Sequence, residues 1–246
     1  MKRKTFIACT TLLIAAFTTF TSCKSLDVAP RYTDHYIKSN EGKVTTQAPE
    51  AYELGYVILA LTDVARRDSA LIDTKSAYYK DVMSYFEKYK SHNAVTRLNR
   101  DLTAFPKRLS TYRNGLSAFN MHNGRFALDE NYRIDVNKME FNRYSLLLQD
   151  FYRDSNFGKF YTEHKAVYAR MVAEASGIAT YASLQQQLNK NKDAKSYKIL
   201  LSPLMKGTPD MMLIKGNGFS ECIMFPYLTP QGLVYGDGKE EMISKS

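Results

Sequence analysis

Four histidines and three cysteines are the residues of this 246-residue chain best suited to metal binding or nucleophilic chemistry. A catalytic zinc needs two His about one helical turn apart, or His with converging carboxylates. His35, His92, His122 and His164 are scattered, and His-Glu-x-x-His is absent. His164 falls in an apolar helical stripe with Glu163 beside it, which reads as a core or capping histidine. Nucleophile motifs are equally sparse: there is no Gly-x-Ser-x-Gly, and Cys222 has no His close in sequence. Cys222 is expected as a buried, inert thiol in a core strand. The run Gly216-Asn217-Gly218-Phe219-Ser220-Glu221 matches a dinucleotide loop at its first two glycines but places Glu221 where the third belongs. It lies between two apolar runs, so it reads as a hairpin turn. The paired acids Asp129-Glu130 and Glu240-Glu241 fall in polar loops or the tail, and no glycosidase pair is assigned. The residues therefore name no catalytic group, no metal ligand, no cofactor and no binding set.

They do give an address. Lys2, Arg3 and Lys4 precede an apolar stretch over 6–20 that four threonines dilute. That stretch is too short and too polar for a membrane span but suits the h-region of a signal peptide. It ends at Phe20-Thr21-Ser22-Cys23, which looks like a relaxed bacterial lipobox. Residues 1–22 then form a lipoprotein signal peptide, and Cys23 is acylated on sulfur and becomes the new N-terminus. The competing reading is ordinary signal cleavage with an incidental Cys. Two or three acyl chains hold a protein firmly on a membrane, at about 0.8 kcal/mol per buried methylene. Cys9 leaves with the signal and Cys23 is consumed, so Cys222 has no partner for an internal disulfide. Residues 23–47, polar and without sustained apolar periodicity, read as a lipidated tether. Only one acid follows closely after Cys23, at Asp27, so the expected place is the periplasmic face of a membrane in the bacterial cell envelope.

Charge is unevenly spread. Residues 88–143 carry 11 basic and five acidic side chains, net +6, out of a total of +9. Lys88, Lys90, Arg97, Arg100, Lys107, Arg108 and Arg113 lie there. As a single face they would suit anionic lipid or an acidic glycan; as separate helix faces they are merely solvated. No recognition motif accompanies them, so nucleic acid is not expected.

The elements behind these residues fall into two blocks. A composition 44% hydrophobic and 24% charged excludes a disordered chain. Over 48–190 the period is helical. Ala51, Leu54, Val57, Ile58, Leu61 and Ala65 follow the i, i+3, i+4, i+7 pattern after Pro49. Tyr78, Val82, Tyr85, Phe86 and Tyr89 repeat it, as do Leu109, Tyr112, Leu116 and Phe119, and then Phe141, Tyr144, Leu148 and Phe151. Asp154 or Ser155 is placed to cap the next helix, which carries Phe157, Phe160, His164 and Tyr168. At this spacing the aromatics are core rather than binding platforms. Over 191–246 the pattern becomes short apolar runs, 197–204, 211–214 and 220–225, punctuated by Gly and Pro and followed by a polar tail. The fold class is α+β, a mainly helical body followed by a small C-terminal sheet.

Three stretches carry a family likeness: Tyr52-Glu53-Leu54 with 57–61; Tyr79-Lys80-Asp81-Val82 with Tyr85-Phe86-Glu87-Lys88-Tyr89; and 150–161 with Glu163-His164-Lys165-Ala166-Val167-Tyr168. In order and wording they resemble a family of secreted bacterial proteins known as domain of unknown function 4932, across roughly 51–226. The resemblance implies a gluzincin-like zinc peptidase, with a helical body, a short sheet and then a helix bearing His-Glu-x-x-His. That helix should follow the last strands near or beyond Leu233, but Gly236-Asp237-Gly238-Lys239-Glu240-Glu241 stands there and no His follows His164. No zinc ligand or general base carries over. The fold is thus expected to be incomplete relative to a gluzincin. The leading functional expectation is a non-catalytic envelope lipoprotein. The alternatives are a truncated fragment of a secreted zinc metallopeptidase and a glycan- or peptide-binding lipoprotein.

Overall fold

Apart from Glu50 and Glu53, the segment 50–60 holds only apolar, aromatic and glycine residues, so as a helix it has no face to give to water. In the computed structural model it is the helix Glu50–Ala60, and every residue from 51 to 60 is buried. The structure describes residues 28–68, 70–134, 141–188, 193–236 and 240–245. The helices Asn93–Ala104 and Arg108–Leu116 and the strand Phe119–His122 pack closely on this central rod.

The chain begins with β1 (Val28–Pro30), α1 (Asp34–Asn40) and β2 (Val44–Gln47), and the central rod is α2. Then come α3 (Asp63–Arg67), α4 (Ala77–Phe86), a 3-10 turn (Glu87–Tyr89), α5 (Asn93–Ala104) and α6 (Arg108–Leu116). Three short strands follow: β3 (Phe119–His122), β4 (Arg125–Leu128) and β5 (Tyr132–Ile134). A second helical run holds α7 (Phe141–Asp154), α8 (Phe157–Glu163), α9 (Lys165–Ile178) and α10 (Tyr181–Gln187). The last third is β6 (Ser196–Leu200), β7 (Asp210–Gly216), β8 (Phe219–Phe225), β9 (Tyr227–Thr229), β10 (Gly232–Gly236) and β11 (Glu240–Ser244). The class is α+β, as expected, with 48% helix and 25% strand.

Local chemistry explains many of the helix starts. Thr62 Oγ1 accepts from Ala65 N at 3.2 Å, and Ser76 Oγ from Tyr79 N at 3.0 Å. His92 Nδ1 takes the same role toward Ala94 N at 3.1 Å, and Thr180 with Ser183 closes a reciprocal capping box. The stripes face inward as expected: Phe141, Tyr144, Leu148 and Phe151 are each at most 2% exposed, and Phe157, Phe160 and Tyr168 are also buried. Helix α6 lies directly on α2. A Cβ on Gly55 would stand 2.3 Å from Leu116 Cδ1, so only glycine allows that approach.

The main sheet has the order β2-β6-β8-β7. β2 and β8 run parallel to β6, and β7 returns antiparallel to β8. Asn217 and Gly218 make the β7–β8 turn with φ of 53° and 71°, the doubly positive geometry of a tight hairpin. Every residue of β8 is buried, as befits a strand with neighbours on both sides. A smaller antiparallel sheet, β11-β10-β9, and two two-stranded pairs, β1-β5 and β3-β4, complete the strands among the described residues.

Several expectations change. Residues 28–47, read as tether, belong to the folded body: Val28 is fully buried and β2 forms an edge of the main sheet. The segment lacks helical periodicity because strand pairing and tyrosine hydroxyls, not an apolar face, hold it. The helical body is interrupted by strands over 119–134, and Phe119 opens β3 instead of ending a helical stripe. The expected polar tail contains β11, which pairs with β10 from Gly232↔Ser244 to Gly236↔Glu240 and buries Ile243. Neither Asp154 nor Ser155 caps α8. Ser155 Oγ donates back to Phe151 O at 2.6 Å, Asp154 pairs with Arg153 and His92, and Asn156 breaks the helix at φ 53°.

Candidate functional site

Two carboxylates lie inside apolar runs, one in α2 and one in β8, and the fold takes both out of water. Glu53 is 0% exposed. Tyr78 of α4 donates its hydroxyl to Glu53 Oε1 at 2.8 Å, and the hydroxyls of Tyr78 and Tyr168 are 2.6 Å apart. Tyr78 has one proton to give, so while it serves Glu53 it accepts from Tyr168. Glu53 Oε2 has no hydrogen-bond partner among the described residues. Burial penalises the charged form and pushes this carboxyl up to about 7, although bonds from Ser202 and Tyr78 pull the other way. Burial first, and then the field of Glu53, raise the Tyr78 phenol far above its ordinary value. Glu53 is therefore a carboxyl that exchanges its proton near neutrality behind a tyrosine seal.

Glu221 is 2% exposed and is treated differently. Tyr36 donates to its Oε1 at 2.8 Å; Tyr132 and Tyr32 donate to Oε2 at 2.5 and 3.4 Å. Lys198 of β6 adds a cation 5.0 Å above the Tyr132 ring and within 3.4 Å of its hydroxyl. Tyr32 and Tyr36 come from the start of the chain and Tyr132 from β5. One carboxylate in the central sheet thus holds two segments far apart in sequence, 32–36 and β5. Burial, followed by the Glu221 charge, raises the phenols of Tyr32, Tyr36 and Tyr132, so they act as fixed donors.

Sequence reading singled out neither glutamate as a site residue. The signal was present in both cases, an acid within an otherwise apolar helix or strand, because such a residue must find donors inside.

The histidines stay apart. His92 caps α5 and meets Asp154 at 3.4 Å; His164 ends α8, its Nδ1 2.8 Å from Phe160 O and its Nε2 3.5 Å from Asp81. His35 and His122 are exposed. Among the described residues, no three His, Cys, Asp or Glu side chains converge as a metal site. Cys222 is fully buried in β8, as expected. Cys23 lies outside the described residues. The hairpin reading of 216–221 holds, and its Glu221 is the buried carboxylate above.

Not every cation of the basic segment reaches the surface. Arg113 turns inward at 5% exposure, donating from Nη1 to Thr208 O at 2.6 Å and from Nη2 to Asp210 Oδ2 at 3.3 Å, so it holds the loop before β7. Arg97 donates to Asp101 Oδ2 at 2.9 Å, where Tyr144 also donates. Burial alone would raise the Asp101 carboxyl, but Tyr144 and Arg97 outweigh it and hold it low. Arg108 stacks 4.2 Å from the Phe105 ring, while Lys88, Lys90, Arg100 and Lys107 are exposed.

Clefts among the described residues include the following two. One, of about 260 Å³, lies among Leu61, Asp63, Arg66, Lys90, Val95 and Asn99, and the Asp63–Arg66 ion pair at 2.7 Å spans part of it. The other, of about 340 Å³, is bordered by Asn120, His122, Leu128, Asp129, Glu130 and Asn131. Neither is lined by Glu53 or Glu221. No protein-family model, no curated protein and no solved structure matches this chain.

Proposed function

We propose that this chain is a cell-envelope lipoprotein, anchored through Cys23, that keeps a peptidase-like body without a zinc centre and acts by holding a partner, not by hydrolysis. The observation that carries the reading is the distribution of ligand chemistry. Hydrolytic zinc needs three protein ligands and an activated water. Here His92 and His164 are spent at helix ends, each beside one carboxylate, and His35 and His122 stand elsewhere on the surface. The two buried glutamates are enclosed by tyrosine hydroxyls, which suits fixed structure better than contact with a substrate. The basic n-region, short apolar stretch and Cys23 support the anchor. The phrases shared with the domain of unknown function 4932 family support the peptidase-like ancestry.

Intact mass of the membrane-extracted protein tests the anchor: acylation of a fragment beginning at Cys23 is expected, and C23A should leave the protein in the soluble fraction. Metal content and peptide hydrolysis test the rest. Stoichiometric zinc, or hydrolysis blocked by a chelator, would overturn the non-catalytic reading.

A further inference from the structure

If Cys23 carries the lipid, the folded body starts very close to the membrane. Only 24–27 separate Cys23 from Val28, which is fully buried in β1. Five extended residues span at most about 17 Å. The surface around β1 is then held within reach of the lipid headgroups, while the body can still tilt about the short connection.

That surface is built in a specific way. β1 pairs antiparallel with β5 in the register Val28↔Ile134, Ala29↔Arg133, Pro30↔Tyr132, and the pairing continues through Arg31 N, which donates to Asn131 O at 2.7 Å. Side chains alternate across the pleat. Val28 and Tyr132 point inward and are 0% exposed, whereas Arg31 and Arg133 are exposed. Alternation puts both on the outer face with Ala29 and Asn131, as diagonal neighbours roughly 7–8 Å apart. The nearby acids do not share this role: Asp129 accepts from Asn120 and Asn131, and Asp34 and Glu130 flank the pair in the adjoining helix and turn. The ribbon is also rigid with respect to the body. Pro30 lies so close to Gly216 of β7 that a Cβ there would meet Pro30 Cγ at 2.5 Å. Tyr32, Tyr36 and Tyr132 tie both its strands to Glu221 of the central sheet.

We infer that Arg31 and Arg133, on the outer face of the β1–β5 ribbon, form a docking pad for anionic lipid headgroups that fixes the orientation of the anchored body on its membrane. The inference rests on the anchored reading proposed above. Two cations are too few to recruit a free protein, since each contributes roughly fivefold near an anionic surface. The anchor changes this by making contact intramolecular, so that small local terms select among orientations. The pad goes down, and α4 is not among the elements that pack closely on β1 or β5. α4 packs through Tyr78, Tyr85 and Phe86 on α7, α8 and α9, and α9 lies along β2, the sheet edge opposite β7.

The chain contains no Trp, so one introduced Trp reports alone. Full-length acylated protein carrying Ala29→Trp or Ser84→Trp would be reconstituted in phosphatidylethanolamine–phosphatidylglycerol vesicles with a nitroxide-headgroup lipid. Quenching of Ala29→Trp several-fold above Ser84→Trp, falling toward equality on Arg31→Glu/Arg133→Glu or without phosphatidylglycerol, is the expected result. Equal quenching of the two reporters on acylated protein overturns the orientation. A difference that survives charge reversal overturns the role of the arginines. An intact mass showing Cys23 unmodified removes the anchored reading itself, and the pad with it.

Discussion

Glu53 and Glu221 are the same side chain, both out of water, yet the fold completes one and leaves the other half-made. Around Glu221 three tyrosine hydroxyls converge on the two carboxylate oxygens, with Lys198 behind them. Around Glu53, Tyr78 donates to Oε1 and Ser202 adds a second bond to the carboxyl, while Oε2 has no hydrogen-bond partner among the described residues. The Glu221 donors come from two distant segments, 32–36 and β5, which the carboxylate joins to the central sheet. Glu53 of α2 meets Tyr78 of α4. A buried charge is tolerable when its lone pairs are filled, and its removal is then damaging; a buried charge with an empty side carries its own penalty. One centre should therefore be a strut and the other a weak point that responds to pH.

The largest effect should come from breaking the strut. Glu221→Ala leaves the hydroxyls of Tyr32, Tyr36 and Tyr132 without their acceptor and opens space in a fully packed strand. A loss of about 3–5 kcal/mol is expected, at roughly 1–3 kcal/mol per stranded buried group less what relaxation recovers. Urea unfolding measures it, and a loss under about 1 kcal/mol would erase the distinction between the two centres.

Next comes the pH response of Glu53. Its carboxyl rises from 4.5 to about 7 on folding. Between those values the folded state holds a proton that the unfolded chain has released, so raising pH favours unfolding. Stability from this group is fully present below about pH 4.5, falls by about 1.4 kcal/mol per pH unit, and levels off above about 7, a total of about 3 kcal/mol. Glu53→Gln, a neutral shape mimic that cannot titrate, should remove most of that slope and be more stable than the parent protein at pH 8. Urea midpoints taken from pH 4.5 to 8 test this; parallel curves for the two proteins would refute the half-made centre.

How far these centres were legible beforehand follows from what periodicity reports. The burial of Ala51, Leu54, Val57 and Ile58, of the stripe Phe141–Tyr144–Leu148–Phe151 and of Cys222 could be read from the chain because each lies in a segment whose neighbours share its environment. The α+β class followed from the change in period near 190. The start of the body was not legible. Val28 and Tyr32 are buried by partners roughly 100 to 190 residues away, Ile134 in the β1–β5 ribbon and Glu221 beneath the Tyr32 hydroxyl. Arg113 was counted with the surface cations because nothing near it in sequence foretells Thr208 and Asp210. Both glutamates showed only as acids in apolar runs, and which would be completed depended on tyrosines that the topology delivers.

Tyr78→Phe sharpens the contrast at the weak centre. It removes the donor to Glu53 Oε1 and leaves Tyr168 without its partner, for a loss of about 1–2 kcal/mol at pH 8. The Tyr78 bond holds the Glu53 carboxyl down, so without it the carboxyl should rise above its value of about 7. The alkaline end of the stability curve should then fall further, with less change at pH 5, where Glu53 is protonated in both proteins. A loss independent of pH would mean that Tyr78 only fills space.

The smallest effect should be Tyr36→Phe at the strut, where redundancy protects. Glu221 keeps the bond from Tyr132 at 2.5 Å and the longer one from Tyr32 at 3.4 Å, and Tyr36 is half-buried, so water can reach the vacated oxygen more readily than it reaches Glu53. The stacked ring of Tyr36 on Tyr32, 5.2 Å between centroids, is preserved by Phe. A loss of about 0.5–1 kcal/mol is expected, or a few degrees in Tm. If Tyr36→Phe costs as much as Tyr78→Phe at pH 8, the donors at Glu221 are not redundant, and the strut is as finely balanced as the weak point.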